Sequence, residues 1–124
     1  MTLSTVRGVA FSMPGGESSG RARRRPIDLA RLARQTMEDP ALEREVLALF
    51  AQQSAAACEA LRLADGEERR RLAHGLKGSA LAVGAMPIAD CAEAIEAAPG
   101  DAALPRRLER LVDEVRDFIA AISR

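Results

Sequence analysis

Aromatic residues are almost absent from this 124-residue chain, which has three phenylalanines and neither tryptophan nor tyrosine. Because β-sandwiches and barrels draw on aromatic and β-branched strands, this scarcity disfavours both folds. The formal net charge is zero, and few rings are present on which bases could stack, so the composition does not favour nucleic acid as a partner. No run approaches the roughly 18 apolar residues of a membrane span, and we expect no membrane insertion.

Cysteine and histidine are also scarce, which limits the chemistry available to the chain. Cys58 and Cys91 lie far apart without C-x-x-C spacing, so we interpret them as small buried helix residues in a reducing compartment. A single histidine and two distant cysteines disfavour a metal site. The N-terminal segment has no sustained apolar core and no A-x-A cleavage site, so we expect no secretory signal and a cytoplasmic location.

What the chain has in quantity is alanine and leucine, within a hydrophobic content of 48%. This content suffices for the core of one domain, and these residues favour helix. Residues 1–26 differ: they are rich in glycine and serine and carry five arginines against one glutamate. We therefore predict a basic tail over 1–26 and a helical domain over 27–124. The basic run at 21–25 leaves open a less favoured role, an adaptor for nucleic acid or a membrane surface.

Capping and helix-breaking residues divide the domain into one short and four long helices. The boundaries rest on residues that start, cap or end helices: Asp28, Asp39-Pro40, Asp65 with Glu68, Gly84, Pro87 and Pro99-Gly100. The last helix is expected to start near Asp101 or Pro105. Short connections between amphipathic helices predict an all-α fold, an antiparallel four-helix bundle with a short additional N-terminal helix. We expect a monomer.

Three-and-four spacing predicts the inward faces of these helices. For the short helix, the residues on one side are Leu29, Leu32 and Met37. For the next helix, the predicted stripe is Leu42, Val46, Leu49, Gln53, Ala56, Ala60 and Leu63. The two last helices are expected to bury Ile88, Cys91, Ala92 and Ile95, and then Leu104, Leu108, Leu111, Val115, Phe118 and Ile122.

The second of the four long helices, expected from residue 66 to about residue 83, carries the only histidine, His74, and the only lysine, Lys77. The two residues share a helix face, and lysine is a compact, mobile charge that can meet a phosphate oxygen. A helical wheel places the inward stripe at Leu72, Leu76, Ala80 and Val83. His74 falls on nearly the opposite side, so we predict that its imidazole faces solvent.

Two glycines flank the histidine within one turn. Gly75 and Gly78 each cost about 1 kcal/mol relative to alanine inside a helix, so we interpret them as clearance for a docking protein. Arg70, Arg71 and Leu81 are candidates for the docking rim. The alternatives are that the glycines serve close helix packing and that His74 is an ordinary solvated residue. A serine hydrolase is disfavoured, because no strand-turn-helix elbow presents Ser79.

Residues 74–80, His-Gly-Leu-Lys-Gly-Ser-Ala, followed by Gly84-Ala85, resemble the phosphoacceptor segment of histidine-containing phosphotransfer (Hpt) domains. That family's motif reads H-x-L-K-G-S-[SA], with G-A closing the helix. The resemblance extends to Ile88 and Ile95-Glu96 and, more loosely, to Asp39–Phe50, so that it spans about residues 27–124. The sequence departs from the family pattern at Gly75, Pro87 and Cys91.

The resemblance implies a four-helix bundle whose exposed His74 takes a phosphoryl group from an aspartyl phosphate on a receiver domain and passes it to another receiver. Lys77 would be the electrostatic partner of the phosphate. The implied partners are response-regulator receiver domains, a sensor histidine kinase, or both. No cofactor is expected in this chain, since the receiver brings Mg²⁺, and the protein would be a phosphoryl carrier rather than an autonomous catalyst. The alternative is a bundle module that is never phosphorylated and regulates a kinase or receiver by contact.

Overall fold

The computed structural model describes residues 25–123, so most of the basic tail expected over 1–26 lies outside the described residues. Within the described range the secondary structure is entirely helical. The helices are α1 (Leu29–Gln35), α2 (Pro40–Leu63), α3 (Gly66–Val83), α4 (Met86–Ala97) and α5 (Ala103–Ile122). The all-α prediction is confirmed. None of these helices is long and apolar enough to cross a membrane.

The four long helices close into a bundle. Both α2 and α4 pack against α3 and against α5, while α1 lies against α3. The two-residue connections at 64–65 and 84–85 reverse the chain direction between successive helices. The predicted four-helix bundle with a short N-terminal helix is therefore confirmed.

Aspartate caps fix three of the helix starts. The carboxylates of Asp28, Asp39 and Asp65 each accept backbone N–H groups from the first turns of α1, α2 and α3. At the other end of α3, Gly84 has φ 83° in the left-handed region, where glycine is not strained. The Asp28 N–H donates to the Gly84 carbonyl at 2.8 Å, which attaches α1 to the end of α3.

The inward face of α2 differs from the predicted stripe. The residues that α2 buries are Leu47, Phe50, Ser54, Cys58 and Leu61. Leu49 and Leu63 from the predicted stripe are 53% and 81% exposed, so that stripe was wrong. Apolar residues occur on every side of α2, so their spacing does not identify the buried face. One residue of that face is polar: the Ser54 hydroxyl donates to the Phe50 carbonyl at 2.8 Å, so its hydrogen bond is made within the helix.

Smaller corrections apply to the short helix and to α5. Leu32 is buried, but Met37 is 85% exposed, because α1 ends before it and Met37 has a φ of 53° in the turn to α2. In α5, Val112 is buried although the predicted stripe omitted it, and Ile122 at the helix end is exposed. The predicted inward face of α4 is confirmed, since Ile88, Cys91, Ala92 and Ile95 are all buried.

Both cysteines are buried and free, as the sequence predicted. Burial raises the pKa of the Cys58 thiol to about 11, and the nearby carboxylates of Glu109 and Asp113 act in the same direction. Burial also raises the pKa of the Cys91 thiol. Both thiols are therefore neutral packing groups at physiological pH.

Candidate functional site

The imidazole of His74 projects into solvent from the middle of α3. Its side chain is 71% exposed, while Ala73, Leu76, Ala80 and Val83 form the buried face of the helix. The predicted orientation is confirmed. An exposed imidazole in the middle of a helix is accessible to a group carried by another protein.

Glu96, in the last turn of α4, holds the histidine and the lysine together. Its Oε2 lies 2.7 Å from Nδ1 of His74, and its Oε1 lies 3.1 Å from Nζ of Lys77. Our residue-level prediction of the site did not include Glu96. The available signal was its place beside the core residue Ile95, at the edge of α4, but the contact depends on how α4 is aligned along α3.

The charge of Glu96 determines the proton position on the imidazole. Hydrogen bonds from Lys77 and His74 hold the pKa of Glu96 below its ordinary value, so the carboxylate is ionised near neutral pH. An ionised carboxylate only accepts hydrogen bonds. Nδ1 of neutral His74 therefore carries the proton, and Nε2 carries the free electron pair. Within residues 25–123, Nε2 has no hydrogen-bond partner.

The two glycines beside His74 are not required for packing inside the bundle. A Cβ atom added at Gly75 or at Gly78 would meet nothing within 4 Å. This excludes close helix packing as the reason for either residue. Gly75 lines an open groove of about 320 Å³ between α2 and α3, together with Gln53 and Ser79. Space for another molecule is thus present on this side of His74.

The predicted rim residues have different surroundings. Arg71 is exposed and pairs with Glu68 on the same helix. Arg70 pairs with Glu67 at 3.3 Å, and its Nε donates to the backbone carbonyl of Glu96 at 3.3 Å. The third rim candidate, Leu81, is half-buried against the core, and α1 approaches it, with Arg31 Nε donating to the Leu81 carbonyl at 2.7 Å.

The family model of the Hpt domain matches residues 44–124, which is more than half of the chain. The chain belongs to the Hpt domain family. No curated protein and no solved structure gives a significant match to it. The part matched to the Hpt domain includes most of α2 and all of α3 and α4, and therefore His74, Lys77 and Glu96. The short helix α1 lies outside it.

Membership in the family places the chain within two-component signalling. Hpt domains are phosphotransfer modules, and they interact with receiver domains and kinases. The Hpt domain here brings a histidine, a lysine and a glutamate together on one surface of α3 and α4. Among residues 25–123, no group of three or more His, Cys, Asp or Glu side chains could hold a metal ion.

Proposed function

We propose that this Hpt domain accepts a phosphoryl group on Nε2 of His74 from a receiver-domain aspartyl phosphate and passes it to another receiver. One observation carries the proposal: the Glu96 carboxylate lies 2.7 Å from Nδ1, which fixes the ring and leaves Nε2 as the nucleophile. The side chain that presents Nε2 is mostly exposed, so a receiver's active site can reach it.

The transfer needs no proton movement at the attacking atom. The Nε2 electron pair attacks phosphorus, an N–P bond forms, and the P–O bond to the receiver aspartate breaks, which leaves that aspartate as a carboxylate. The imidazole keeps its Nδ1 proton and acquires positive charge. Glu96 already lies beside that proton, so its negative charge stabilises the ring as the N–P bond forms. Onward transfer reverses these steps, with a second receiver's carboxylate as the attacking group.

Lys77 is suited to the phosphoryl group as well as to Glu96. A lysine ammonium has three donors, and the contact to Glu96 at 3.1 Å uses one of them. His74 and Lys77 lie three residues apart on one helix face. A phosphoryl group on Nε2 therefore arrives near a cation that is already held in place. Since phosphoryl transfer depends on positioning and charge neutralisation, this is the role we assign to Lys77.

The open space over Gly75 and Gly78 suits a partner that must approach closely. A receiver has to bring its aspartyl phosphate within bonding distance of Nε2, and side chains at these positions would stand between the two surfaces. We expect Mg²⁺ to arrive bound to the receiver, and no role in this chain's own chemistry is assigned to a metal.

The test is transfer of label from a phosphorylated receiver, with Mg²⁺ present, to the purified chain and to its His74→Gln variant. The proposal predicts label on the native chain only, stable in base and labile in acid. Label on the His74→Gln variant would overturn the assignment of His74. No label across a broad set of receivers, with the chain folded, would instead favour the module that regulates by contact.

A further inference from the structure

Two arginines of α3 donate hydrogen bonds to backbone carbonyls at the C-terminal end of α4. The last carbonyls of a helix lack partners within it and attract cations, yet α4, described throughout, has no basic residue in its last turn. Arg70 of α3 supplies a donor, from Nε to the Glu96 carbonyl at 3.3 Å. Arg69 supplies another, from its guanidinium to the Pro99 carbonyl at 2.9 Å.

Arg69 also binds α2, the other long helix that packs against α3. Its Nε donates to the Leu61 carbonyl, near the end of α2, at 3.1 Å. One half-buried guanidinium therefore joins the end of α2 to the segment that follows α4. With Arg69 fixing the chain beyond α4, Arg70 is the residue of the pair that reaches Glu96 itself.

Arg70, His74 and Lys77 lie one turn apart along a single face of α3, and all three bind Glu96. Arg70 bonds to the backbone carbonyl of Glu96, whereas His74 and Lys77 bond to its carboxylate. The first contact connects the Glu96 backbone to α3. The other two require the position of that backbone along α3 to be correct, because a glutamate side chain shifted by a fraction of a turn cannot meet both.

We propose that Arg70 is a positioning residue of the transfer site, which holds the Glu96 backbone where its carboxylate meets Nδ1 of His74 and thereby determines that Nε2 is the nucleophile. This assigns Arg70 a role other than the docking rim. The consequence for transfer rests on the proposed function. The consequence for the proton on the imidazole does not, since it concerns the chain alone.

Arg71 provides a matched control for the charge of Arg70. The two arginines are adjacent, and each pairs with a glutamate three residues earlier. Within the described range, however, Arg71 bonds only to Glu68 and makes no hydrogen bond to α4. An effect of Arg70 through overall charge or receiver attraction would be shared by Arg71, whereas an effect through Glu96 would not.

The first measurement is the tautomer of the His74 ring in the full chain, read from the ¹⁵N chemical shifts of its two nitrogens at a pH where the ring is neutral. The chain has one histidine, so the signals need no assignment to a residue, and Nδ1 and Nε2 are distinguished by their couplings to the carbon-bound protons of the ring. Arg70→Met keeps an aliphatic stem for packing and removes the donors. We expect the native chain and Arg71→Met to carry the proton on Nδ1, Arg70→Met to lose that preference, and Arg70→Lys to recover part of it.

A native-like tautomer in folded Arg70→Met would overturn the proposal, as would an equal loss in Arg71→Met. If Arg70→Met does not fold, Arg70→Gln, which removes the charge but keeps a polar group, decides by the same criterion. In transfer from a phosphorylated receiver, Arg70→Met should be about tenfold slower, since misplacement by about 1 Å costs up to about 100-fold. Failure of the native chain to accept phosphate would refute the proposed function, while the tautomer would still decide the role of Arg70.

Discussion

The carboxylate of Glu96 lies 2.7 Å from Nδ1 of His74, so that a residue at the end of α4 determines the chemistry of a residue in the middle of α3. The histidine alone would be an exposed imidazole with either nitrogen free. With Glu96 ionised beside it, one nitrogen is a donor and the other is a nucleophile. Changes to this contact should therefore alter phosphoryl transfer.

Glu96→Gln should slow phosphoryl transfer without unfolding the bundle. The amide lacks the negative charge that stabilises the ring as the N–P bond forms, and it can donate as well as accept toward Nδ1. We expect about a tenfold fall in rate, less than the roughly 100-fold seen for groups in closed sites, because solvent screens this exposed pair. Glu93→Gln, an exposed change on the same helix, is the control. Equal rates for the two variants would contradict the role of Glu96.

At acid pH, the hydrogen bonds that Glu96 makes to Lys77 and His74 should be lost as Glu96 becomes protonated. Hydrogen bonds from Lys77 and His74 hold its pKa below the ordinary value, so the stability it contributes is complete above the ordinary pKa of about 4.3 and is lost as pH falls through its lower, folded-state pKa. Lys77→Ala should move that pKa upward. Carboxyl ¹³C shifts recorded through an acid titration measure the pKa of Glu96 in the native chain and in Lys77→Ala. A Glu96 that titrates at or above the ordinary pKa in the native chain would contradict this electrostatic description.

Gly78→Ala and Gly84→Ala should change stability in opposite directions. At Gly78 an added Cβ meets nothing, so alanine should raise the free energy of unfolding by about 0.5–1 kcal/mol through better helix propensity. At Gly84 an added Cβ would lie 2.8 Å from the Asp28 carbonyl, on a backbone with φ +83°. We expect a loss of more than about 1–2 kcal/mol there. Urea unfolding measures the free energy of unfolding of both variants. A loss of stability in Gly78→Ala as well as in Gly84→Ala would be inconsistent with the open surface at Gly78.

Gly78→Leu tests clearance apart from folding. Because the space above Gly78 is open, the larger side chain should leave the bundle folded while it blocks a docked receiver. We expect weaker receiver binding by titration calorimetry, with an unchanged helical circular dichroism spectrum. Undiminished binding would remove the clearance interpretation of this glycine.

The sequence predicted most of the bundle because its helix boundaries are local. Each aspartate cap needs only the N–H groups of its own first turn, and Gly84 ends α3 through its own backbone. The face of α2 was predicted wrongly for the opposite reason. Leu49 and Phe50 are both apolar, and the packing of α3 and α5 against α2, rather than the spacing within it, selects Phe50 for the core.

The same distinction applies to the site. His74, Lys77 and Gly78 occupy one helix, so their common face follows from helix geometry. Glu96 lies 22 positions from His74, and its contact depends on how far α4 is displaced along α3. Arg70 shows this most clearly: the sequence places it on the right face, but only the end of α4 reveals its hydrogen bond to Glu96.

The Cys58 thiol should be unreactive in the folded chain. With a pKa raised from 9.0 to about 11, its thiolate fraction at pH 8 is about 100-fold below that of an unperturbed thiol. Iodoacetamide labelling followed by mass spectrometry should show slow modification that becomes fast in urea. Because the folded state favours the neutral thiol, the stability that the neutral Cys58 thiol contributes is lost as pH rises from about 9 toward 11. Rapid labelling under native conditions would contradict the buried position of Cys58.

Identifying the ring nitrogen that carries phosphate tests directly whether Nε2 of His74 is the nucleophile. The chain would be ¹⁵N-labelled at histidine and phosphorylated by a phosphorylated receiver domain. NMR would then detect coupling between ³¹P and each ring nitrogen of His74. We expect coupling to Nε2, with the proton retained on Nδ1 beside Glu96. Phosphate on Nδ1, or on any residue other than His74, would contradict this assignment.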